Sequence, residues 1–248
     1  TQDGNTWNDI FVGSEPPYSV DWDTRGIMSS VVPNIRIRAL ARKASGMSAM
    51  NMSSKTFSID NQAPTTLQDY DGLWHKKDFS INLSASDGEG NGLADTFYRI
   101  NYGNKRNTKI DGQPKINVQG INTLEYWSVD RLENEEEHNI LADAKLDKNP
   151  PVFSDWVKKP QVISKDHKGN FRVSLRIADI NGSGLDDKIP QMKFRIGASS
   201  VYGSYGNMTP SDEVWYFDIP EPAGGWGSKF GEPLYYMVRC EDFAGKAG

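Results

Sequence analysis

Two loops of the sequence carry oxygen-bearing side chains at alternate positions, with a glycine at the sixth position. The candidate ligands are Asp87, Glu89, Asn91 and Asp95 in the first loop, and Asp179, Asn181, Ser183 and Asp187 in the second. A tight turn with this spacing can bring several oxygens around a hard cation, so calcium is one interpretation. The other is a plain turn between two strands, in which Asp87 and Asp179 accept hydrogen bonds from nearby backbone N–H groups.

The loops depart from a complete calcium-binding loop at the twelfth position. Tyr98 and Pro190 stand where an EF-hand loop has a bidentate glutamate, and no helical pattern flanks either loop. Calcium is therefore the cofactor to test, and the plain turn remains open beside it.

A second set of acids and amides lies near two expected junctions between folding units. Its members are Asp60, Asp130, Glu133, Asp147 and Asn149. They could form an interdomain calcium site, and the run from Leu146 to Phe153 is similar to the junctions of cadherin arrays. The alternative is an ordinary solvated linker.

Aromatic side chains are candidates for contacts with a partner or a glycan, because their faces stack on sugars. We expect Trp226, in the glycine-rich stretch Pro222–Gly227, to be exposed. Tyr202 and Tyr205 lie in the same region, Ala198–Gly231, which has no counterpart in the preceding unit of the sequence. This region is where we expect contacts specific to the last unit.

The remaining polar candidates have simpler explanations. Asn-x-Ser/Thr sequons make four asparagines possible glycosylation sites: Asn51, Asn82, Asn181 and Asn207. The acidic run Glu133–Glu137 is expected to be a solvated turn, because adjacent acids lack the opposed geometry of a catalytic pair. Cys240, the single cysteine, is expected to be a small buried apolar residue.

The elements that position these residues are predicted to be β-strands. Short alternating runs rich in Val, Ile, Phe and Tyr recur between Gly, Pro, Asn and Asp clusters, and helical periodicity is nearly absent. Phe79–Ala85 and Phe171–Ile177 both alternate, with Asn82 expected to face outward, and they superpose at an offset of 92 residues. The loops that follow them align without a gap, and the later strands Leu124–Asp130 and Tyr236–Asp242 correspond. The chain is therefore predicted to be an all-β protein with an internal repeat.

Proline-containing stretches after strands divide the chain into three predicted units, residues 1–62, 63–149 and 150–248, called units 1, 2 and 3 below. Unit 1 has four expected strands, which are Trp7–Val12, Tyr18–Trp22, Ile35–Ala41 and Thr56–Ile59. We expect it to lack its opening strands and unit 3 to lack its last strand. The chain would then be an excerpt of a longer array, or a subunit completed by strands of its neighbours.

Composition excludes several classes of function. The formal net charge is −5, from 28 Lys+Arg and 33 Asp+Glu, and the basic residues are scattered, which argues against a nucleic-acid groove. No apolar run approaches the roughly 18 residues of a membrane span. One cysteine excludes an internal disulfide framework. Any secretion signal is expected to lie outside the chain or to have been removed.

Several stretches resemble the tandem immunoglobulin-like (Ig-like) domains of large prokaryotic surface and secreted proteins. They are Pro17–Thr24 (PYSVDWDT), Ile35–Ala39 (IRIRA), Ile59–Thr66 (IDNQAPTT) and Glu125–Asp130 (EYWSVD). The resemblance implies tandem β-sandwich domains at the cell surface of a prokaryote. It also implies neighbouring Ig-like domains or identical subunits as partners, in a lattice or filament, with surface glycans as further partners.

The function that follows is structural and non-catalytic: a segment of an Ig-like array in a cell-surface layer, filament, stalk or adhesin. The alternative is a spacer or glycan-binding region of a secreted carbohydrate-active enzyme. No constellation of residues in the sequence supports catalysis within the chain.

Overall fold

The computed structural model describes residues 7–13, 19–27, 31–46, 48–158, 163–185, 189–198, 201–211 and 214–245. Within these residues nearly all regular structure is β-strand, which confirms the all-β prediction. All pairings between the strands named below are antiparallel, and each joins two strands of the same predicted unit. No helix in this part of the chain has the length and apolar character needed to cross a membrane.

Unit 1 contains two two-stranded sheets in its described residues. Its strands are β1 (Val31–Ile35), β2 (Arg38–Arg42), β3 (Ser48–Met52) and β4 (Phe57–Asp60). Strand β1 pairs with β4, and β2 pairs with β3. The core is small and consists of Val32, Ile35 and Ile59, with Trp22 and Ile27 packed against them.

Unit 2 has more strands and one short helix. Its elements are β5 (Thr65–Gln68), β6 (Phe79–Ser80), β7 (Leu83–Ser86), β8 (Leu93–Ile100), β9 (Arg106–Asn107), α1 (Thr108–Asp111), β10 (Lys115–Ile116), β11 (Gly120–Asp130) and β12 (Asn139–Leu146). They form a four-stranded sheet in the order β12-β11-β8-β9 and two pairs, β5-β7 and β6-β10. The buried core draws on all three sheets, with Leu83, Ile116 and Leu124 among its members.

The described residues of unit 3 form two larger sheets. Its elements are β13 (Val152–Lys158), β14 (Phe171–Ala178), β15 (Gln191–Ile196), β16 (Gly206–Asn207), β17 (Thr209–Ser211), β18 (Val214–Ile219), a 3-10 helix (Trp226–Lys229) and β19 (Leu234–Arg239). The sheet orders are β13-β14-β18-β17 and β16-β15-β19. The core lies between the two sheets and includes Val173, Met192 and Cys240, so the predicted burial of Cys240 is confirmed.

Several predicted strands differ from the observed ones. Trp7–Val12 and residues 19–22 form no strand, and Tyr18 lies outside the described residues. Ile35–Ala41 is interrupted at Arg36 and Ile37, between β1 and β2. Phe79–Ala85 is divided into β6 and β7, which pair with different strands.

One strand of the region Ala198–Gly231 has a counterpart in unit 2, although none was expected. Its strand β18 pairs with β14 so that Ile219 lies opposite Phe171. In unit 2, Ile116 of β10 lies opposite Phe79, the residue that aligns with Phe171. The region therefore supplies part of the sheet that β14 requires.

Candidate metal centres at the two junctions

Three aspartates meet where unit 1 joins unit 2, and we call them cluster 1. Asp60 is the last residue of β4, Asp87 follows β7 directly, and Asp130 is the last residue of β11. One carboxylate oxygen of each lies within 4.8 Å of the others, and all three residues are buried. The cluster thus joins one acid of unit 1 to two acids of unit 2.

Backbone N–H groups of the unit 2 loop hold two of these carboxylates. The N–H of Asn91 donates to Asp60 Oδ2 at 2.6 Å, and the N–H of Gly92 donates to Asp87 Oδ2 at 2.6 Å. The N–H of Gln62 donates to Asp60 Oδ1 at 3.1 Å. The expected capping by Asp87 is therefore present, but it uses only one of the two oxygens. The other, Asp87 Oδ1, is buried and has no hydrogen-bond partner within the described ranges.

Asp130 is held by the turn that follows it. The N–H groups of Leu132 and Asn134 both donate to Asp130 Oδ1 at 2.8 Å. The side-chain amide of Asn134 donates to Asp130 Oδ2 at 2.7 Å and to the carbonyl oxygen of Asp60 at 3.1 Å. Asn134 therefore ties the end of β11 to the last strand of unit 1.

A glycine lets the loop cross close to the acids of cluster 1. A Cβ atom at Gly90 would lie 2.7 Å from Asp60 Oδ2 and would also collide with the Asp87 carboxylate. Gly182 occupies the equivalent position in unit 3, where a Cβ would collide with the Asp179 carboxylate. A side chain at either position would require the carboxylates to move.

The junction between units 2 and 3 repeats this arrangement, and its three aspartates form cluster 2. Asp147 follows β12, Asp179 follows β14, and Asp242 lies beyond β19, where it bridges to Leu185. Their carboxylate oxygens also lie within 4.8 Å of one another. Asp147 and Asp242 are fully buried, each at 0 % exposed.

Two backbone hydrogen bonds of cluster 2 repeat those of cluster 1 at aligned positions. The N–H of Ser183 donates to Asp147 Oδ2 at 2.8 Å, as Asn91 does to Asp60. The N–H of Gly184 donates to Asp179 Oδ2 at 2.6 Å, and no described residue forms a hydrogen bond with the buried Asp179 Oδ1. The same loop geometry has thus been built twice.

Gln119 adds a contact at the second junction. Its side-chain amide donates to Asp147 Oδ1 at 2.7 Å and to the carbonyl oxygen of Asn181 at 3.3 Å. Its own side-chain oxygen accepts from the N–H of Lys148 at 2.7 Å. A single side chain of unit 2 therefore contacts both the linker and the unit 3 loop.

Clustered carboxylates repel one another strongly when they are buried. Two unit charges at the 4.8 Å limit repel by about 3 kcal/mol at an effective dielectric constant of about 20. No Lys, Arg or His of the described ranges forms an ion pair with Asp60, Asp87 or Asp130. Backbone donors relieve part of this repulsion, and a cation held by all three carboxylates would relieve the rest.

The acids of cluster 2 differ in how readily they ionise. Burial raises the pKa of the Asp179 carboxyl, and the nearby charges of Asp147 and Asp242 raise it further, against the hydrogen bond from Gly184. Burial also opposes ionisation of Asp147, but hydrogen bonds from Gln119 and Ser183 outweigh it and lower the pKa. The negative charge of cluster 2 is therefore distributed unevenly, since ionisation is favoured at Asp147 and opposed at Asp179.

The other predicted ligands of the unit 2 loop lie outside cluster 1. Asp95 accepts from the Asn107 side chain at 2.9 Å and forms an ion pair with Lys109. Glu89 is exposed, and Asn91 contributes its backbone N–H while its side chain is exposed. The loop therefore supplies one carboxylate to the cluster, and the strand ends supply the other two.

The unit 3 loop and the junction amides behave similarly. Ser183 Oγ accepts from the N–H of Ala244 at 2.9 Å, and Asn181 contributes its carbonyl oxygen to Gln119. Asp187 lies outside the described residues. Asn149 and Glu133 are exposed, so of the junction residues only Asp60, Asp130 and Asp147 enter the clusters.

Trp226 is buried, and the expectation that it is exposed is wrong. It is only 4 % exposed, and its indole N–H donates to the carbonyl oxygen of Gly169 at 2.8 Å. Its ring also packs edge-on against Phe171 and His167. Trp226 is therefore a core residue of unit 3.

Tyr202 and Tyr205 lie on the outer face of the sheet β16-β15-β19. Lys193 and Arg195 lie over the ring of Tyr202, and Arg239 lies 4.0 Å from the ring centre of Tyr205. These cation–π contacts cover part of each ring and give the face a positive character.

The four sequon asparagines are all exposed: Asn51, Asn82, Asn181 and Asn207. Asn82 also donates its side-chain amide to Asp69 at 2.6 Å, and Asn207 accepts from Gln191 at 2.9 Å. Glycosylation at these positions stays a prediction.

Glu136 has a role that the sequence did not indicate. Its Oε1 accepts from the N–H of Thr66 and from the Asn139 side chain, both at 2.8 Å. Its Oε2 accepts from the Thr66 hydroxyl at 2.6 Å and from the N–H of Ser128 at 3.0 Å. This carboxylate therefore links β5 to β11, although the run around it resembles a solvated turn.

Asp242 was also missed as a candidate ligand, although the sequence carried a signal for it. Asp242 aligns with Asp130 at the end of the repeated strand, just as Asp179 aligns with Asp87. The loop acids and the junction acids together contain all of cluster 1 but only Asp147 and Asp179 of cluster 2, and the strand alignment supplies Asp242.

No model of a known protein family matches the chain, and no curated protein matches it.

Proposed function

We propose that the chain is a segment of a non-catalytic array of Ig-like units in an extracellular structure of a prokaryotic cell surface. Its partners would be neighbouring Ig-like units or further copies of the chain, in a layer, filament or stalk. Its contribution would be to hold neighbouring units in a defined arrangement.

One observation carries this proposal: the junction between units is built twice in the same way. The backbone N–H groups of Asn91 and Ser183 reach back to the acids that end the preceding units, Asp60 and Asp147. Linkers that only tether independent domains do not need a repeated set of buried contacts. Repetition of the contact favours a role in which the geometry of the junction matters.

Small-angle X-ray scattering of the 248-residue chain tests the arrangement. A single compact body of this length has a radius of gyration of about 18 Å. We expect a clearly larger value and an asymmetric distance distribution. A compact particle would contradict the proposal.

Immunogold labelling of intact cells of the source organism tests the location. Antibodies raised against the chain should label the cell surface densely and at regular intervals. Label confined to the cell interior would contradict the proposal.

The alternative is a glycan-binding or spacer region of a secreted carbohydrate-active enzyme. The aromatic and cationic face formed by Tyr202, Tyr205 and Tyr235 with Arg195 and Arg239 favours it, since such a face suits acidic sugars. Binding of uronic-acid oligosaccharides that Tyr235→Ala abolishes would support this alternative.

A further inference from the structure

Each of the two clusters brings together carboxylates that come from three separate chain segments. In cluster 1 these segments are the end of unit 1, the first loop of unit 2 and the end of β11. We propose that each junction binds one calcium ion, the first held by Asp60, Asp87 and Asp130, and the second by Asp147, Asp179 and Asp242.

The strongest support comes from an oxygen that the turn does not use. Asp87 is 6 % exposed, and its Oδ2 accepts from the N–H of Gly92, while its buried Oδ1 has no hydrogen-bond partner in the described part of the chain. A plain capping turn would explain the hydrogen bond to Asp87 Oδ2, but it would not explain why Oδ1 is buried without a donor. A buried carboxylate oxygen without a donor is costly unless a ligand occupies it.

Cluster 2 supports the same conclusion from a separate part of the chain. Asp179 is half-buried as a residue, but it uses Oδ2 to accept from Gly184 and leaves a buried Oδ1 that has no hydrogen-bond partner among the described residues, as Asp87 does. The two clusters share no residue, so the arrangement has arisen at two sites of the repeat. Turn formation alone does not require three acids at each of them.

The donor set points to calcium as the ion. All three charged donors of each cluster are carboxylates, and neither cluster includes His or Cys. Hard oxygen ligands without nitrogen or sulfur suit calcium and magnesium. Calcium accepts irregular sets of six to eight oxygens, whereas magnesium demands a near-ideal octahedron, and acids gathered from three segments fit calcium better.

Binding would connect the units directly. Asp60 belongs to the last strand of unit 1, and Asp87 and Asp130 belong to unit 2. An ion shared by the three would add bonds between the units to the existing hydrogen bond from Asn91. The same holds at the second junction, where Asp147 ends unit 2.

Calorimetric titration of the full chain after treatment with a chelator tests the proposal, whatever the cellular location of the protein. We expect two calcium ions per chain, with dissociation constants below about 1 mM. At a hundredfold excess over the dissociation constant, the melting temperature should rise by about 5 °C or more. Magnesium should give a clearly weaker response at equal concentration.

Three variants assign the sites. Asp87→Asn and Asp179→Asn should each lower the stoichiometry from two ions to one, and the double variant should bind none. Glu89→Gln is the matched control, because Glu89 lies in the same loop but outside the cluster, and this variant should still bind two ions. Without calcium, Asp87→Asn should melt at or above the wild-type temperature, since it removes one of three repelling charges.

The proposal fails if the wild-type chain gives neither heat nor a melting shift with excess calcium. It also fails if the double variant still binds two ions, or if Glu89→Gln alone abolishes binding. An equal response to magnesium would overturn the choice of calcium. Loss of one ion in only one single variant would overturn the site at the other junction.

Discussion

The backbone N–H of Asn91 donates to the carboxylate of Asp60 across the boundary between the first two units, at 2.6 Å. The donor lies in a loop of unit 2, and the acceptor ends the last strand of unit 1. The relationship recurs between Ser183 and Asp147, at 2.8 Å. These two amides therefore report directly on whether each junction is closed.

Hydrogen exchange at these two amides should slow when calcium is added. An ion held by each cluster would oppose the local opening that exposes Asn91 N–H and Ser183 N–H to water. Mass spectrometry of peptides covering residues 88–93 and 180–185 measures this, and we expect at least tenfold slower exchange. In Asp87→Asn the protection should disappear for the first peptide only. Equal protection of both peptides in that variant would contradict the assignment.

Gly90→Ala should destabilise unit 2 and weaken calcium binding at the first junction. The new methyl group would push against the carboxylates of Asp60 and Asp87, and overpacking of this kind costs about 1–3 kcal/mol. Gly26→Ala is the control, since a Cβ there meets nothing within 4 Å, and it should change stability by no more than about 0.5 kcal/mol. Urea unfolding of both variants measures the difference, and equal stabilities would refute the steric argument.

Glu136→Gln should lower the stability of unit 2 by about 1–3 kcal/mol. Each oxygen of the Glu136 carboxylate accepts from one backbone N–H, that of Thr66 or that of Ser128. A glutamine must therefore turn its NH₂ group toward one of these donors in either orientation. Glu137→Gln, one residue away and exposed, should have no measurable effect in the same urea experiment. If the two variants behave alike, Glu136 does not link the sheets as described.

Trp226→Ala should destabilise unit 3 by about 3–5 kcal/mol, because it empties a buried site and leaves the carbonyl oxygen of Gly169 without its donor. Phe230→Ala is the control from the same segment, since Phe230 is 60 % exposed. Thermal unfolding distinguishes the two variants. A mild effect of Trp226→Ala would return Trp226 to the candidates for a partner contact.

His138 should make the stability of unit 2 depend on pH near neutrality. Its hydrogen bond to Glu125 at 2.7 Å, assisted by Glu135, raises the pKa of the imidazole above its ordinary value of about 6.5. The protonated pair therefore stabilises the fold fully below about pH 6.5, and this contribution is lost as the pH rises through the raised value. Urea unfolding between pH 5.5 and 8.5 should show the loss in the wild type and a much smaller change in Glu125→Gln. A pH profile unaltered by the substitution would exclude the pair as its source.

The predicted strands match the structure best where an alternating stretch keeps the same neighbouring strands. Phe171–Ile177 lies within β14, where Val173, Leu175 and Ile177 are buried as the alternation predicts, although Ser174 is buried as well. Phe79–Ala85 also alternates in burial, since Ile81 and Leu83 are buried. However, Asp69 accepts the N–H of Asn82, and β6 and β7 on either side of this point pair with different strands. Alternation reports which face is buried, and it does not report which strand lies alongside.

The sequence indicated individual members of each candidate site but not that these members lie together. The turn spacing indicated Asp87 and Asp179, and the proline-containing junctions indicated Asp60 and Asp147. That these acids meet depends on where separate strands end in space, which local spacing does not encode. The prediction that Trp226 is exposed was wrong for a related reason. Its glycine-rich neighbours suggest exposure, but Gly169, which is distant in sequence, supplies the acceptor for its indole N–H.

Strand β11 connects the two junctions through unit 2. It is 11 residues long, which corresponds to roughly 36 Å at about 3.3 Å per residue. Asp130 at its end belongs to cluster 1, and Gln119 just before its start donates to Asp147 of cluster 2. A pulling force transmitted from one junction to the other would therefore run along a single strand that is paired with β8 on one side and β12 on the other. Asp130 and Asp147 follow opposite ends of the antiparallel pair β11-β12, so a pull between them would load the hydrogen bonds of this pair in shear together instead of peeling them apart one after another.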